Sequence, residues 1–262
     1  MSSPTPALEL DGIRFDLGGF RVLDEVSLSI PAGQCWAVIG PNGAGKTTLF
    51  HVISGMAAPT AGRVRLHGQD VTGWPAHRMR QAGLSRSFQV NQLFGRLSVL
   101  DHLACAALSA DNAGYVWWRP LAAVGDVMHQ ARNLAEALGL EHQLHSTAQE
   151  LTYAQQRHLE LGLALAGTSS VILLDEPTSG MSRLEASDWA QRLRHLARGR
   201  TVLIVEHDIS VAFAVADQVA ALHQGRLLAL APPSQMAHDP RVQAAYGLGG
   251  IPPVPPQETP HG

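Results

Sequence analysis

The stretch Gly40-Pro-Asn-Gly-Ala-Gly-Lys46-Thr47-Thr48 (GPNGAGKTT) decides the fold class of this chain. Its first eight residues fit the pattern G-x-x-x-x-G-K-[ST], in which successive backbone N–H groups turn inward around a phosphate. A short apolar run, Cys35–Ile39, precedes the loop, and a helix-like segment that ends near Gly55 follows it. A strand, a glycine-rich loop and a helix N-terminus together favour anion binding. The sequence therefore predicts a phosphate-binding loop in an α/β fold.

Lys46 is chemically distinctive because it is the one lysine among 19 basic residues, the others all being Arg. A compact ammonium can reach the β- and γ-phosphates of a nucleotide, which the planar fork of Arg does not imitate. We expect the hydroxyl of Thr47 to lie where Mg²⁺ binds. ATP and Mg²⁺ are thus the predicted cofactors. The other loop positions predicted to contact the nucleotide are Gly40, Pro41, Asn42, Gly43, Ala44, Gly45 and Thr48.

Two later segments supply the acidic and imidazole groups that such a loop needs. The run VILLDEPTSG places Asp175 and Glu176 at the carboxyl end of a buried strand, where open α/β sheets bind ligands. Asp175 is the predicted Mg²⁺ ligand, through a water, and Glu176 the predicted general base. His207 follows the next buried strand, TVLIVE, and is predicted to reach the γ-phosphate.

The rest of the chain alternates between strand and helix patterns. Alternating runs from 8 to 30, broken at Gly18-Gly19, predict antiparallel strands, and the region from 99 to 140 predicts a helical insertion. Helices over 153–166 and 183–198 alternate with strands over 171–175 and 201–206, which predicts a parallel sheet. The tail 249–262 is rich in proline and predicted to be disordered.

Bulk composition narrows the class of partner and the location. The net charge is −3 and the pI about 6.5, which disfavours sequence-independent nucleic-acid binding. No basic segment followed by an apolar run begins the chain, and no apolar run approaches the ~20 residues of a membrane-spanning helix. We therefore expect a cytoplasmic protein without a nucleic-acid partner.

Taken together, these segments resemble the nucleotide-binding subunits of ABC transporters, in the same order from residue 8 to about 247. The resemblance implies an α/β fold of the P-loop NTPase (ABC ATPase) type, with a mostly parallel central sheet, an N-terminal antiparallel β layer and a helical insertion. It also implies an ATPase domain over 1–248 with a helical subdomain over about 95–165. Gln89, in SRSFQ, resembles the glutamine that contacts Mg²⁺ and water in this family and is expected to take part in catalysis.

The segment LTYAQQR, residues 151–157, stands where the family has its signature sequence. That resemblance implies that Thr152, Ala154 and Gln155 contact the nucleotide held by the opposite subunit. It also implies a dimer with a homologous or identical ATP-binding subunit. Two membrane permease subunits and, indirectly, an external solute-binding protein are the further partners. The expected location is the inner face of the cell membrane.

Two departures from the family pattern bear on activity. Ala154 replaces a signature glycine, and its methyl group could crowd the γ-phosphate. The aromatic residue that stacks on adenine falls at Leu17 by spacing, with Phe15 and Phe20 nearby.

Several stretches, among them SFQVNQLFGRLSVLDHL, VEHDI and DPRVQAAYGLGG, are most similar to ATPases of branched-chain amino acid importers and of their urea and amide relatives. Three alternatives stay open at this point. One is an exporter ATPase of the lipid or lipopolysaccharide kind. The second is a regulatory subunit that binds ATP with little hydrolysis. The third, a soluble ABC ATPase acting on nucleic acid or ribosomes, lacks the expected basic face or tandem unit.

Overall fold

The computed structural model describes residues 5–86, 93–110 and 121–247, and it contains two sheets. The strands of the first sheet are β1 (Leu8–Leu17), β2 (Phe20–Ile30), β4 (Ala61–Leu66) and β5 (Gln69–Asp70). They pair in antiparallel fashion in the order β2-β1-β4-β5. The hairpin of β1 and β2 turns at Gly18-Gly19, which confirms the predicted N-terminal antiparallel layer.

The second sheet carries the phosphate loop. Its strands are β3 (Cys35–Ile39), β6 (Leu84–Arg86), β7 (Val171–Asp175), β8 (Thr201–Val205), β9 (Gln218–His223) and β10 (Arg226–Ala231). They lie in the order β10-β9-β3-β8-β7-β6, and all neighbouring pairs are parallel except that of β10 with β9. The prediction of a mostly parallel central sheet is confirmed.

Helices cover this sheet and form the insertion. The described helices are α1 (Lys46–Ile53), α2 (Ala76–Gln81), α3 (Val99–Ala110), α4 (Leu121–Ala137), α5 (Tyr153–Ala166), α6 (Arg183–Leu196), α7 (Ile209–Val215), α8 (Pro233–Met236) and α9 (Pro240–Ala245). None of those described is both long and apolar enough to span a membrane.

Alternate residues of the central strands pack on opposite faces, as a doubly covered sheet requires. Ile172 and Leu174 of β7 belong to the core under the helices, whereas Val171 and Leu173 belong to the core under α1 and the antiparallel sheet. All five residues of β7 and all five of β8 are buried. Apart from Asp175 and Thr201, both strands are therefore continuous apolar runs, as expected for strands buried on both faces.

The helical insertion is held by close contact between α3, α5 and the end of α4. Gly162 of α5 lies at this contact, and a Cβ there would be 2.5 Å from Leu138 Cδ1 and 2.8 Å from Leu103 Cδ2. The division into an ATPase domain over 1–248, a helical subdomain over about 95–165 and a tail stays a prediction. Gln89 and the tail 249–262 lie outside the described residues.

Replacing Gly162 with Ala should destabilise the chain, because the added methyl group overlaps two leucine side chains. Overpacking of this kind costs about 1–3 kcal/mol. Gly125 of α4 is the matched control: among the described residues no atom lies within 4 Å of its Cβ position. There Gly→Ala should stabilise by up to ~1 kcal/mol through helix propensity. Urea unfolding measures both, and equal stability of the two variants would contradict the packing.

Candidate functional site

Three neighbouring parallel strands end at the same edge of the central sheet and bring the predicted groups together. The phosphate loop follows β3, Asp175 ends β7, and His207 comes two residues after β8. The strands pair in the order β3, β8, β7, with Asp175 opposite Val205. Lys46, Asp175, Glu176 and His207 therefore lie at one edge, as the sequence predicts.

The shape of the loop depends on Gly45, which precedes the first residue of α1. Its backbone is left-handed, with φ of 99°, and a Cβ there would lie 2.8 Å from Leu23 Cδ2. Since Gly45 has no side chain to cap α1, the first N–H groups of the helix face the loop. These groups and the positive end of the helix dipole form an anion site.

Lys46 lies folded over its own loop. Its Nζ donates to the carbonyl oxygens of Gly40, at 2.7 Å, and Pro41, at 3.1 Å. Burial lowers the pKa of Lys46, while the charges of Glu176 and Asp175 act in the opposite direction. The ammonium thus lies within electrostatic reach of both carboxylates. Phosphate oxygens can take over the two hydrogen bonds that the carbonyl groups now accept.

A turn between β9 and β10 supports the loop from outside and is absent from the sequence prediction. The N–H of Gly225 donates to Ala44 O at 3.0 Å, and its carbonyl accepts from Asp24 N at 2.8 Å. A Cβ at Gly225, whose φ is 75°, would lie 2.2 Å from Val22 O. The only signal in the sequence was the dipeptide Gln224-Gly225, which by itself indicates a turn.

Asp175 is buried and pairs with Arg86, a contact that the sequence analysis did not predict. Arg86 Nη2 lies 2.8 Å from Asp175 Oδ2, and Arg86 Nη1 donates to Ser54 Oγ at 2.8 Å. Burial raises the pKa of Asp175, and the Arg86 guanidinium opposes that shift. The guanidinium therefore supplies much of the positive charge that this buried carboxylate needs.

Glu176 and His207 form a close pair, with 2.7 Å between Glu176 Oε1 and His207 Nε2. Glu176 has a left-handed backbone, φ 46°, which is uncommon for a residue with a side chain and occurs often at functional sites. Its N–H donates to Val205 O, and its carbonyl accepts from Ser179 N. The carboxylate is partly exposed and so accessible to water.

The segment predicted as the signature begins α5 and caps it. Thr152 Oγ1 accepts from Gln155 N at 3.3 Å, and Gln155 Oε1 accepts from Thr152 N at 2.9 Å. Between them Tyr153 turns its hydroxyl toward the segment after Glu176 and donates to Ser179 O at 2.7 Å. Thr152 is exposed and Ala154 half-buried. The Thr152 hydroxyl and the Ala154 methyl group thus lie at a helix N-terminus that a ligand can reach.

The aromatic residues near the expected adenine position differ in exposure. Phe15 packs against the core under the antiparallel sheet, whereas Phe20 is 79% exposed and Leu17, paired with it across the hairpin, is 65% exposed. Phe20 precedes Val22, which borders the loop at Gly45, by two residues. Phe20 is therefore the aromatic ring available on this side of the loop.

Glu206, directly before His207, is a further acidic group that the sequence analysis passed over. Only 2% of it is exposed. Burial raises its pKa from an ordinary 4.5 to about 7, against the opposing effect of hydrogen bonds from Thr178 and from backbone N–H groups of His207 and Asp208. It stands between an apolar run and the more conspicuous His207, so it was not recognised as a separate functional group.

This geometry defines the class: a nucleoside triphosphatase of the P-loop type, in which a phosphate loop, a buried aspartate and a Glu–His pair meet at the end of a parallel sheet. Residues 23–179 match the family described as ABC transporter. The chain belongs to that family and is an ATP-hydrolysing transporter subunit.

Individual relatives agree over nearly the whole length. The chain is 31% identical to the high-affinity branched-chain amino acid transport ATP-binding protein BraF of Pseudomonas aeruginosa, over 92% of this chain and 97% of BraF. It is 31% identical to the lipopolysaccharide export system ATP-binding protein LptB of Escherichia coli, over 87% of this chain and 91% of LptB. The ADP conformation of MJ1267, an ATP-binding cassette of an ABC transporter, superposes with a TM-score of 0.79 at 29% identity, covering 93% and 98% of the two chains.

Replacing Gly225 with Ala should weaken nucleotide binding at least tenfold, because the new Cβ would displace either the β2 backbone at Val22 or the turn whose Gly225 N–H bonds to Ala44. Gly199→Ala is the matched control. Its φ of 77° carries the same backbone penalty of about 1 kcal/mol, yet no described atom lies within 4 Å of the Cβ position. Titration with a fluorescent ATP analogue measures both variants. Equal affinity in the two would show that the Gly225 turn does not support the loop.

The raised pKa of Glu206 predicts a dependence of stability on pH. A pKa that is higher in the folded chain adds stability below about pH 4.5, and this contribution is lost as the pH rises through about 7. Between pH 4.5 and 8 the free energy of unfolding of wild type should therefore fall by up to about 3 kcal/mol relative to that of Glu206→Gln. Urea unfolding across this range measures the difference, and parallel curves would contradict the assignment.

Proposed function

We propose that this chain hydrolyses ATP to energise an ABC importer for branched-chain amino acids or a related small polar solute. The observation that carries the proposal is the Glu176–His207 pair, 2.7 Å apart, at the same sheet edge as the phosphate loop and Lys46. The similarity to BraF over 92% of the chain supports the choice of solute class.

In the proposed site the loop holds the triphosphate. Backbone N–H groups of Gly43, Gly45 and the start of α1 face the β-phosphate, and Lys46 exchanges its carbonyl partners for phosphate oxygens. The remaining predicted contacts are those of Gly40, Pro41, Asn42, Ala44 and Thr48. Exposed Phe20, rather than the family position at Leu17, is the ring available to stack on the base.

The residues at the sheet edge fit Mg²⁺. A threonine hydroxyl at Thr47 and a carboxylate at Asp175, acting through water, are hard oxygen donors of the kind that Mg²⁺ prefers. Gln89 is the third proposed ligand, from sequence alone. A bound Mg²⁺ would neutralise charge on the phosphates; the chain's own contribution is to keep Asp175 ionised, which Arg86 favours.

Hydrolysis is proposed to use Glu176 as the base. Glu176 Oε1 accepts a proton from water as the water oxygen attacks the γ-phosphorus, and the bond from phosphorus to the ADP oxygen breaks. His207 Nε2 lies beside Oε1 and can donate to the γ-phosphate or hold the carboxylate in place. Gln89 would help to orient the water.

The site is proposed to be completed by a second ATP-binding subunit, identical or homologous. Thr152, Ala154 and Gln155 lie at the N-terminus of a 14-residue helix, where the backbone can bind a γ-phosphate of the opposite subunit. Such an arrangement converts the loss of the phosphate into separation of the subunits. Function would therefore require the dimer.

Further proposed partners are two membrane permeases, with a solute-binding protein acting through them, at the inner face of the cell membrane. Phe94, which is 73% exposed, stacks loosely on buried His102, with 6.1 Å between ring centroids. It follows Gln89 by five residues and adjoins α3. It is the proposed apolar contact for a permease, with half-buried Leu97 beside it.

Two other functions receive less support. LptB, an export-system protein, is as identical as BraF but matches a smaller share of the chain, 87% against 92%. A regulatory subunit with little turnover would follow if Ala154 crowded the γ-phosphate. The 2.7 Å contact between Glu176 and His207 favours a hydrolysing enzyme over such a regulatory subunit.

Steady-state ATPase assays of the chain, alone and with candidate permeases, should separate these functions. Glu176→Gln removes the proton acceptor and should lower kcat by at least 100-fold while ATP still binds; Lys46→Ala should weaken ATP binding itself. Permeases should stimulate wild type only. If wild type binds ATP but hydrolyses it no faster than Glu176→Gln in every assembly, the chain is a regulatory ATP-binding subunit and not the proposed ATPase.

A further inference from the structure

Glu206 makes its hydrogen bonds on both sides of the Glu176–His207 pair. Its Oε1 accepts from Thr178 N at 3.0 Å and from Thr178 Oγ1 at 2.8 Å, and its Oε2 accepts from His207 N at 3.1 Å. Thr178 comes two residues after Glu176 and is itself buried. One carboxylate therefore joins the segment that carries the base to the segment that carries the histidine.

The backbone around this carboxylate links it directly to the catalytic groups. The N–H of Glu206 lies 3.4 Å from Val38 O of β3, and Ser179 N donates to Glu176 O. Movement of Thr178 or of the His207 backbone would change the 2.7 Å contact between Glu176 and His207. The neighbouring strand pairing of Asp175 with Val205 fixes where the two segments begin. Beyond the strand ends, the hydrogen bonds of Glu206 hold the two segments together at Thr178 and His207.

The stability of the fold does not by itself explain why a glutamate stands at position 206. It lies at the end of a strand whose five residues are all buried, and a buried carboxylate loses hydration that its hydrogen bonds only partly replace. The donors that converge on its two oxygens all belong to segments that bear a proposed catalytic group. Such an arrangement holds reacting groups in a fixed geometry.

We propose that Glu206 is a positioning residue for ATP hydrolysis, holding Glu176 and His207 in contact through Thr178 and the His207 backbone. The inference rests on the proposed roles of Glu176 and His207 and adds to them. Glu206 itself is not proposed to touch the nucleotide or the attacking water.

The test replaces Glu206 with Gln, which keeps the size but turns one acceptor oxygen into an NH₂ donor. One of the two segments then loses its acceptor. We expect kcat to fall about tenfold, with the affinity for an ATP analogue changed less than twofold. Thr178→Val, which removes one donor, should lower kcat by less, and Thr178→Ser should restore it. The double variant Glu206→Gln/Thr178→Val should lose less than the product of the single losses.

Thr201→Val is the matched control at the other end of β8. Thr201 is equally buried, and its Oγ1 accepts a hydrogen bond from Gly33 N at 3.0 Å. Its loss should lower the unfolding midpoint without changing kcat. If Glu206→Gln and Thr178→Val keep wild-type kcat, or lose kcat only in proportion to ATP affinity as a general loss of fold would cause, Glu206 is not a positioning residue.

A second readout does not depend on turnover. The ring-proton NMR resonances of His207, assigned by their absence in His207→Gln, should shift in Glu206→Gln and in Thr178→Val but not in Thr201→Val. Unchanged resonances would overturn the inference. Wild type without ATPase activity would instead refute the proposed function, and the NMR result would still decide whether Glu206 holds the pair.

Discussion

Parallel pairing of β3, β8 and β7 is the constraint on which the rest of this molecule depends. Because parallel neighbours end at the same edge, three separate chain segments deliver a phosphate loop, a buried aspartate and a Glu–His pair to one place. The strands are buried on both faces, so their register is fixed by packing in two cores. A shift of one residue would move each proposed catalytic group away from the loop.

Charged side chains whose burial is unfavourable lie together at this edge, and each is stabilised by a neighbouring group that can carry the opposite charge. Arg86 lies against Asp175, Lys46 lies within reach of Asp175 and Glu176, and His207 contacts Glu176. In the proposed site, a nucleotide with its cation would change the partners of each of these groups at once. Binding at the edge would therefore act on the segments that follow β7 and β8, which is the proposed physical basis for converting hydrolysis into movement.

Local sequence signals predicted the central strands β3, β7 and β8 and the position of the phosphate loop. The loop, β3 and β7 are where the pattern placed them, because apolar runs and glycine spacing are local properties. Contacts between distant segments were not predictable. Arg86 with Asp175, 89 residues apart, and Gly225 with Ala44 require the assembled sheet. Glu206 was missed because a single acid beside a conspicuous histidine gives no separate pattern. The strands β9 and β10 were missed because their runs, QVAALH and RLLALA, fit either secondary structure.

The most direct test of the central claim is a crystal structure of the wild-type chain with Mg²⁺ and a non-hydrolysable ATP analogue. We expect the β-phosphate inside the loop with Lys46 Nζ on phosphate oxygens, and a water between Glu176 Oε1 and the γ-phosphorus in line with the bond that breaks. An analogue bound in the loop with Glu176 turned away from the γ-phosphate, in a dimer closed around it, would contradict the account.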